Sequence, residues 1–408
     1  MRILYFITIK LVEWLLPAFV MIFKSQKLKL FLDGQKQTSK LAEFPMTPNR
    51  YWFHCASLGE FEQARPVIEN IKRINSEIHI VISFFSPSGY ELRKNYELAE
   101  AVFYLPLDTP ANAKKIIEKI KPTKVIFIKY EIWPSLLKGL FLKNVPVYLI
   151  SANFRQNQAI FGIFGQWLFK LLPQYKHIFL QNRDSYNLLK SKGLTNISIS
   201  GDTRFDRVLE NAKQVKKNEV LEQFKDHQTI LILGSSWPKE EELLFQYLQS
   251  HPKPNFKIII APHDISDKHI EAIQHKFKEY SPQLFTNYTN SQAQNILILN
   301  TIGHLASAYY YADMAFIGGG FTGQLHNILE PLSFGVPVFA GPIHTKFPEA
   351  EMAKLAGIFF DVSDLTELDN LILKTKSNNL KKVALAFIDS NSGATLSVVN
   401  SILQSDIT

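Results

Sequence analysis

The sequence predicts an α/β fold of two Rossmann-like domains, each a parallel, doubly wound sheet. Three observations carry that prediction. Short apolar runs alternate with helical patterns across short loops from residue 51 to 181, the order that yields parallel strands covered by helices. The alternation gives way to a polar helix and connection over 203–220, then restarts at residue 229. In this second series the run 314–317 ends in Gly318, Gly319 and Gly320, followed by a polar loop, a short helical pattern and a buried-strand pattern over 336–340. A loop at the carboxyl end of a parallel strand is where open α/β sheets bind ligands, because loop amides and a helix N-terminus face one crevice.

Taken in order, the first domain is expected to have strands over 51–56, 78–84, 125–128, 145–150 and 177–181, with helices over 61–74, 111–120, 134–143 and 160–172. The strand segments are rich in Val, Ile, Phe and Tyr, which suit a buried pleated surface. In the second domain strands are expected over 229–233, 257–261, 296–299, 314–317 and 336–340, with helices between them. The segment 381–403 reads as helical. The resulting organisation is 1–32, 33–206, 207–380 and a C-terminal helix over 381–408, with a cleft between the two Rossmann-like domains.

A chain of 408 residues, 46% apolar and 20% charged, suits two globular domains. Its one cysteine, Cys55, excludes an intramolecular disulfide framework and a cysteine-rich zinc site. Cys55 lies in the run YWFHCA, which points to a buried structural thiol. Charge is uneven. Residues 1–210 hold 29 Lys and Arg against 17 Asp and Glu, and the remainder holds 16 against 20. The first half therefore prefers an anionic partner. No RNP-type or zinc-finger pattern is present, so nucleic acid is not expected as that partner.

Residues 1–23 are strongly apolar and about as long as a membrane-spanning helix requires, ~20 residues. Lys10 and Glu13 interrupt the run, and Pro17 is expected to kink it. No A-x-A cleavage pattern follows. Lys24, Lys27 and Lys29 come directly after it, which favours a cytoplasmic side for the rest of the chain. The expectation is an interfacial or monotopic anchor at an anionic membrane surface, with a true span as one alternative and a buried first helix as the other.

Several segments carry candidate chemistry. His54-Cys55-Ala56-Ser57-Leu58-Gly59-Glu60 joins the first strand to the first long helix, so Glu60 stands at a strand's carboxyl end. A carboxylate there can accept a proton from a sugar hydroxyl, or can simply complement the helix dipole. Lys129-Tyr130-Glu131-Ile132-Trp133-Pro134 places Glu131 at an equivalent junction. In Gly201-Asp202-Thr203-Arg204-Phe205-Asp206, Arg204 suits a bidentate contact to phosphate or carboxylate, or an interdomain salt bridge. The second domain offers Gly234-Ser235-Ser236 before an acidic helix start, Pro262-His263, Ile302-Gly303-His304, and Asn327-Ile328-Leu329-Glu330. These fall at one edge of the second sheet. Asn327 and Glu330 have N-x-x-E spacing, which fits a capping box, a ribose contact, or both. No D-x-D motif stands at a strand end, and no metal site is expected.

Together these segments resemble the 3-deoxy-D-manno-octulosonic acid (Kdo) transferases of lipopolysaccharide synthesis. The resemblance runs in order through the N-terminal anchor, HCASLGE, KYEIWPSL, SANFR, GDTRFD, GSSWPKEEE, APH, NTIGHL, FIGGG, HNILEP and FGVPVFAGP. It implies a GT-B fold and transfer of Kdo from CMP-Kdo to a lipid A precursor of lipid IVA type, with inversion and without metal or cofactor. It also implies an inner-membrane protein facing the cytoplasm. Residues 33–206 then become the acceptor-binding domain and 207–380 the CMP-sugar-binding domain. Glu60 matches the family's proton acceptor, and Glu131 and Arg204 match its assisting polar positions. Pro262, His263, Ile302, Gly303, His304, Asn327, Ile328, Leu329 and Glu330 match its CMP contacts.

The chain departs from the family pattern at three places. Pro262-His263-Asp264 stands where Pro-Arg-His is usual. Arg204 replaces a more usual lysine, which keeps the charge but alters hydrogen-bond geometry. The glycine-rich loop before His326 is variant. Rival readings are a GT-B transferase using a UDP-sugar and a non-catalytic, membrane-bound nucleotide-sugar-binding protein.

Overall fold

The fold is that of a computed structural model, which describes residues 2–23, 25–39, 41–289, 295–374 and 379–404. Met1 and Lys24, both part of the anchor expectation, lie outside them. The chain divides into two compact units: Met1–Arg207 with Ser392–Thr408, and Val208–Asn391.

Unit 1 holds seven parallel strands: β1 (Arg50–Cys55), β2 (His79–Phe84), β3 (Ala101–Tyr104), β4 (Lys124–Ile128), β5 (Val147–Ala152), β6 (His177–Leu180) and β7 (Ile197–Ile199). Their order is β3-β2-β1-β4-β5-β6-β7. The interior strand β1 is buried throughout, with Tyr51 facing Ile80 on β2 and Lys124 on β4. Arg50 is tolerated there because its guanidinium reaches Glu100 (3.1 Å) and the carbonyls of Pro45 (2.8 Å) and Ile120 (3.0 Å). Cys55 is a free, fully buried thiol, as its apolar setting predicts.

Unit 2 repeats the plan with β8 (Ile230–Ser236), β9 (Lys257–Pro262), β10 (Gln283–Leu284), β11 (Ile296–Ile298), β12 (Met314–Ile317), β13 (Val338–Ala340) and β14 (Phe359–Asp361). Their order is β10-β11-β9-β8-β12-β13-β14, and every pairing is parallel. Both sheets are thus doubly wound. The strand order reverses between β1 and β4 in one unit, and between β8 and β12 in the other.

Local departures from the sequence reading have physical causes. The helix expected over 160–172 is instead a 3-10 turn (Ala159–Phe161), a four-residue helix (Gln166–Phe169) and a second 3-10 turn (Leu172–Gln174). The chain folds so tightly at Gly165 that a Cβ there would lie 1.9 Å from the Ala159 carbonyl oxygen, and Pro173 blocks continuation. Strands β3, β7, β10 and β14 have two to four residues each, too short for alternation to show. The segment 381–403 is two helices, Asn379–Ser390 and Ala394–Gln404, separated at Gly393 (φ 103°).

The last helix returns to unit 1. Val398, Val399 and Ile402 join Phe61, Ala64 and Val67 in its core, each fully buried aliphatic side chain contributing ~1.5–3 kcal/mol. Asp206 caps that helix, accepting from Gly393 N–H (2.5 Å), Thr395 N–H (2.8 Å) and the Thr395 hydroxyl (2.8 Å).

The N-terminal helix Arg2–Phe23 is continuous through Pro17. Residues Ile3–Phe23 are long and apolar enough to cross a membrane. They are not packed into the core: Trp14 and Met21 are each 76% exposed. Polar contacts hold the helix to the unit, Tyr5 Oη donating to Asp108 (3.0 Å) and Asn112 Nδ2 to Glu13 (2.6 Å).

Candidate active site

In each sheet the strand-order reversal opens a crevice at the carboxyl ends of two strands. In unit 1 the crevice receives the loops after β1 and β4, which carry Glu60 and Glu131. Ser57 is the N-cap of the helix Leu58–Ile74, and Glu60 is its N3 residue. Glu60 Oε2 accepts the Ser57 N–H (2.8 Å) and hydroxyl (3.3 Å). The capping role is therefore real, and it fixes the carboxylate at the sheet edge. Burial pushes the Glu60 pKa up, while the Lys129 charge and the Ser57 and Ala56 hydrogen bonds oppose it.

Glu131 is more strongly perturbed. Burial, and then the Glu60 charge, raise its pKa to about 7, against the Trp133 hydrogen bond and Lys129. The Trp133 indole N–H donates to its Oε2 at 2.8 Å. Two carboxyls with raised pKa values, beside one lysine, form an arrangement suited to proton transfer. Glu131 and Trp133 also line a cavity of ≈ 530 Å³ with Tyr5, Ile9, Phe85 and Phe154. Non-glycine residues with positive φ sit on the same edge: Lys129 (65°) after β4 and Ser151 (51°) at the end of β5. Such backbone costs of order 1–3 kcal/mol and clusters at working sites.

Arg204 is engaged within its own loop. Its guanidinium binds Asp202 two residues earlier, at 2.7 and 2.9 Å, and its N–H binds the same carboxylate at 3.0 Å. Burial, the largest single effect, raises the Asp202 pKa, but Arg204 and the Gln63 hydrogen bond together outweigh it and hold the group below the usual carboxylate range. This pair is local, formed within one loop.

In unit 2 the expected residues fall into two groups. Gly303, His304 and Glu330 line a cavity of ≈ 410 Å³ together with Lys216, Lys217 and Asn211. Ile302 beside them is 84% exposed. Asn327 Oδ1 accepts the Leu329 N–H (3.0 Å), and its Nδ2 donates to Glu330 (3.1 Å). The short helix Leu329–Ser333 starts one residue later than a capping box on Asn327 requires, with Ile328 at the N-cap. Ile328 and Leu329 are buried at 1% and 0% exposure, which leaves only their backbone for a ligand.

The second group centres on His263, which follows Pro262 at the end of β9. Its ring stacks on Trp237 (5.0 Å, 17°) and meets His326 at 4.7 Å. Trp237 Nε1 donates to His326 Nε2 at 3.4 Å. Burial, then the neighbouring His263, lower the His326 pKa. Glu240 accepts the Gly319 N–H (2.9 Å), tying the glycine loop to the helix Pro238–Ser250. Gly320 and Gly341 touch through their backbones, since a Cβ on Gly320 would lie 2.4 Å from Gly341 N.

Sequence reasoning missed His54, Lys129 and Trp133 in unit 1, and Trp237, His326 and Glu240 in unit 2. The available signal was position: each lies within a strand-to-helix loop, or beside one, that already held a candidate.

A sequence family described as "3-Deoxy-D-manno-octulosonic-acid transferase (kdotransferase)" matches residues 26–207. The 3-deoxy-D-manno-octulosonic acid transferase of Haemophilus influenzae is 27% identical over 314 residues, 74% of this chain and 73% of its own. That of Aquifex aeolicus is 27% identical over 324 residues, 78% of this chain and 83% of its own. Among solved structures, UDP-GlcNAc 2-epimerase from Neisseria meningitidis superposes with a TM-score of 0.61 at 14% identity, covering 87% of this chain and all (100%) of that one. MurG from Acinetobacter baumannii gives 0.55 at 16% identity, covering 88% and 100%. At such identities the two structures speak for the fold alone, and that fold is GT-B. The chain is thus similar to the 3-deoxy-D-manno-octulosonic acid transferases, a family of glycosyltransferases, over residues 26–207 by the family match and over 74–78% of its length by these two relatives.

Proposed function

We propose that this protein transfers Kdo from CMP-Kdo to a lipid A precursor with inversion at the anomeric carbon. The observation that carries this reading is the buried Glu60–Glu131 pair at the β1/β4 reversal, with Lys129 beside it. Glu60 uses Oε2 to hold the Ser57 cap, and its Oε1 takes the proton of the acceptor hydroxyl. The acceptor oxygen forms a bond to the anomeric carbon as the bond from that carbon to the CMP phosphate oxygen breaks. CMP leaves with the electron pair. General-base assistance of this kind contributes ~10²–10⁴-fold in rate. Glu131 and Arg204 assist near the reacting centre.

The donor's nucleotide is assigned to unit 2. Pro262 and His263, Ile302 to His304, and the backbone of Asn327 to Leu329 contact CMP, and Glu330 holds its ribose. The exposed apolar helix and the 29 basic residues of the first 210 suit attachment to an anionic membrane and a phosphorylated lipid acceptor. The catalytic units then lie on the cytoplasmic face of the inner membrane. The test is mass spectrometry of a lipid A precursor incubated with CMP-Kdo and the purified protein. A mass increase of one or more Kdo residues is expected. An unchanged acceptor, or addition of sugar from a UDP-sugar only, overturns the reading.

A further inference from the structure

His54, on the interior strand β1, points a ring nitrogen toward Glu131. It is fully buried. Its Nδ1 lies 2.8 Å from Ser83 Oγ. Its Nε2 lies 3.9 Å from Glu131 Oε2 and has no hydrogen-bond partner. The ring is packed edge-on against Trp133 (5.2 Å) and Phe127 (5.7 Å), so it cannot swing away to find another. A buried, unpaired ring nitrogen is costly unless the group beside it uses it.

The Ser83 hydroxyl lies between this ring and Trp52. Trp52 Nε1–H, which can only donate, points to Ser83 Oγ at 2.8 Å. That occupies one lone pair of the oxygen and leaves the hydroxyl its proton, which it can donate to His54 Nδ1. In that arrangement the single imidazole proton sits on Nε2, facing Glu131. We propose that His54 is a positioning residue for Glu131: Trp52 and Ser83 set its tautomer, and its Nε2–H holds the Glu131 carboxylate from behind while Trp133 holds it from the side. The proposal rests on the reading of Glu131 as an assisting group in transfer. It adds the device that keeps that carboxyl aimed beside Glu60.

The surroundings fit. Burial, against a hydrogen bond with the Ser83 backbone, keeps the imidazole neutral, its pKa pushed down to about 3, so His54 acts by its N–H dipole and not as a cation. The groups facing Glu131 are Glu60 from the β1 loop, Lys129 and Trp133 from its own loop, Cys55 at the end of β1, and Tyr175. The Tyr175 hydroxyl donates to the Glu131 carbonyl (3.4 Å). Burial and Glu60 oppose ionisation of Glu131, and the Trp133 N–H and the Lys129 charge act against them.

The experiment combines spectroscopy and kinetics on the full-length protein in detergent. ¹⁵N-histidine NMR, with the His54 signal identified by its loss in His54→Gln, should show a neutral ring protonated on Nε2 from pH 5 to 8. Ser83→Ala should mix the two tautomers. A wild-type ring protonated on Nδ1 overturns the proposal. In transfer assays, His54→Phe should lower kcat by roughly tenfold or more, the scale of one N–H interaction with a charged group, with KM for CMP-Kdo unchanged. The acid limb of its kcat/KM profile should move to higher pH. His54→Gln, whose amide can still donate, should recover most of that loss. An unshifted acid limb in a folded His54→Phe or Ser83→Ala protein overturns the proposal as well. Absence of any transfer by the wild type would instead remove the functional reading and leave the NMR result standing.

Discussion

Trp133 and Glu131 are joined by an indole N–H···Oε2 hydrogen bond of 2.8 Å across one intervening residue. The bond closes the loop between β4 and the helix Pro134–Leu142. It is also the strongest opposition to the effects of burial and Glu60, which raise the Glu131 pKa to about 7. The same contact thus shapes a loop and sets a protonation state.

Stability should depend on pH through this group. Glu131 has an ordinary pKa of 4.5 and a folded pKa of about 7, so between those values the folded protein holds a proton that the unfolded chain has released. Stability from this group is fully present below about pH 4.5 and is lost as pH rises toward 7. Glu60 (raised) and Asp108 (raised to about 6) add losses of the same sign. Glu131→Gln removes one titration and can keep the Trp133 bond. The variant should match wild type at pH 5 and exceed it at pH 7.5 by on the order of 2 kcal/mol. Chemical denaturation followed by hydrogen exchange in unit 1 checks this, and parallel pH curves for the two proteins would count against it.

Catalysis is predicted to depend on Glu60 far more than folding does. Glu60→Gln keeps an oxygen for the Ser57 cap but cannot take a proton. Turnover should fall ~10²–10⁴-fold, the usual range for a general base, with CMP binding retained. Near-normal transfer by a folded variant would reduce Glu60 to its capping role.

How much of this was legible in the sequence differs by level. The strands that matter were visible because β1, β4, β8 and β12 are buried Val, Ile, Leu, Phe and Tyr runs bounded by polar or glycine loops. Glu60 and Glu131 could be placed because each directly follows such a run. What the sequence could not give was partnership. Nothing in GDTRFD says that Arg204 binds Asp202 within its own loop, and nothing in HCASLGE says that His54 faces Glu131, 77 positions later in the chain. The first depends on how one loop turns back on itself, and the second on neighbouring strands, here β1 beside β2 and β4, whose order is a non-local property. The broken helix at 160–172 was missed for a related reason: its apolar spacing is helical, and the close approach of Gly165 to the Ala159 carbonyl overrides it.

In unit 2, Glu330 distinguishes two roles. It accepts from Asn327 Nδ2 at 3.1 Å and lines the cavity that holds Gly303 and His304. If it holds the ribose, Glu330→Ala should weaken CMP binding roughly tenfold or more, as expected for hydrogen bonds to a charged acceptor. Isothermal titration with CMP measures this. Unchanged affinity would leave Glu330 as a structural fastening, with Asn327 among its partners.

The glycine loop offers a steric test. A methyl group on Gly320 would meet backbone atoms of Gly341 at 2.4–2.8 Å, and no flexible side chain is there to yield. Gly320→Ala should destabilise unit 2 by ~1–3 kcal/mol, the ordinary cost of overpacking. Gly59 gives the contrast, since a Cβ there meets nothing within 4 Å in the helix turn that holds Glu60. Gly59→Ala should stabilise unit 1 by ~0.5–1 kcal/mol. Loss of transfer in that more stable variant would mean that the open space beside Glu60 admits substrate. Melting curves and transfer assays on the two variants separate these effects.

The N-terminal helix supplies the last prediction. Its apolar side chains are exposed, with Ile3 75%, Trp14 76% and Ile22 72% accessible, and the 21 residues of Ile3–Phe23 suffice to cross a bilayer. Burying that surface in lipid is an apolar effect that salt does not screen, whereas attraction of the basic first half to anionic headgroups falls within a Debye length of about 8 Å at physiological ionic strength. High salt should therefore extract the full-length protein poorly from membranes. A chain lacking residues 1–23 should be removed readily by the same salt. Asp108 loses the Tyr5 hydroxyl in that deletion but keeps the Ser135 and Leu136 N–H groups at 2.9 Å each, so the start of the helix Pro134–Leu142 and the loop before it, with Glu131, should stay formed. Sedimentation of membranes at low and high salt, followed by CMP binding of the released protein, tests both halves. A full-length protein that stays soluble at ordinary salt would show that the helix finds its cover within the protein and not in the bilayer.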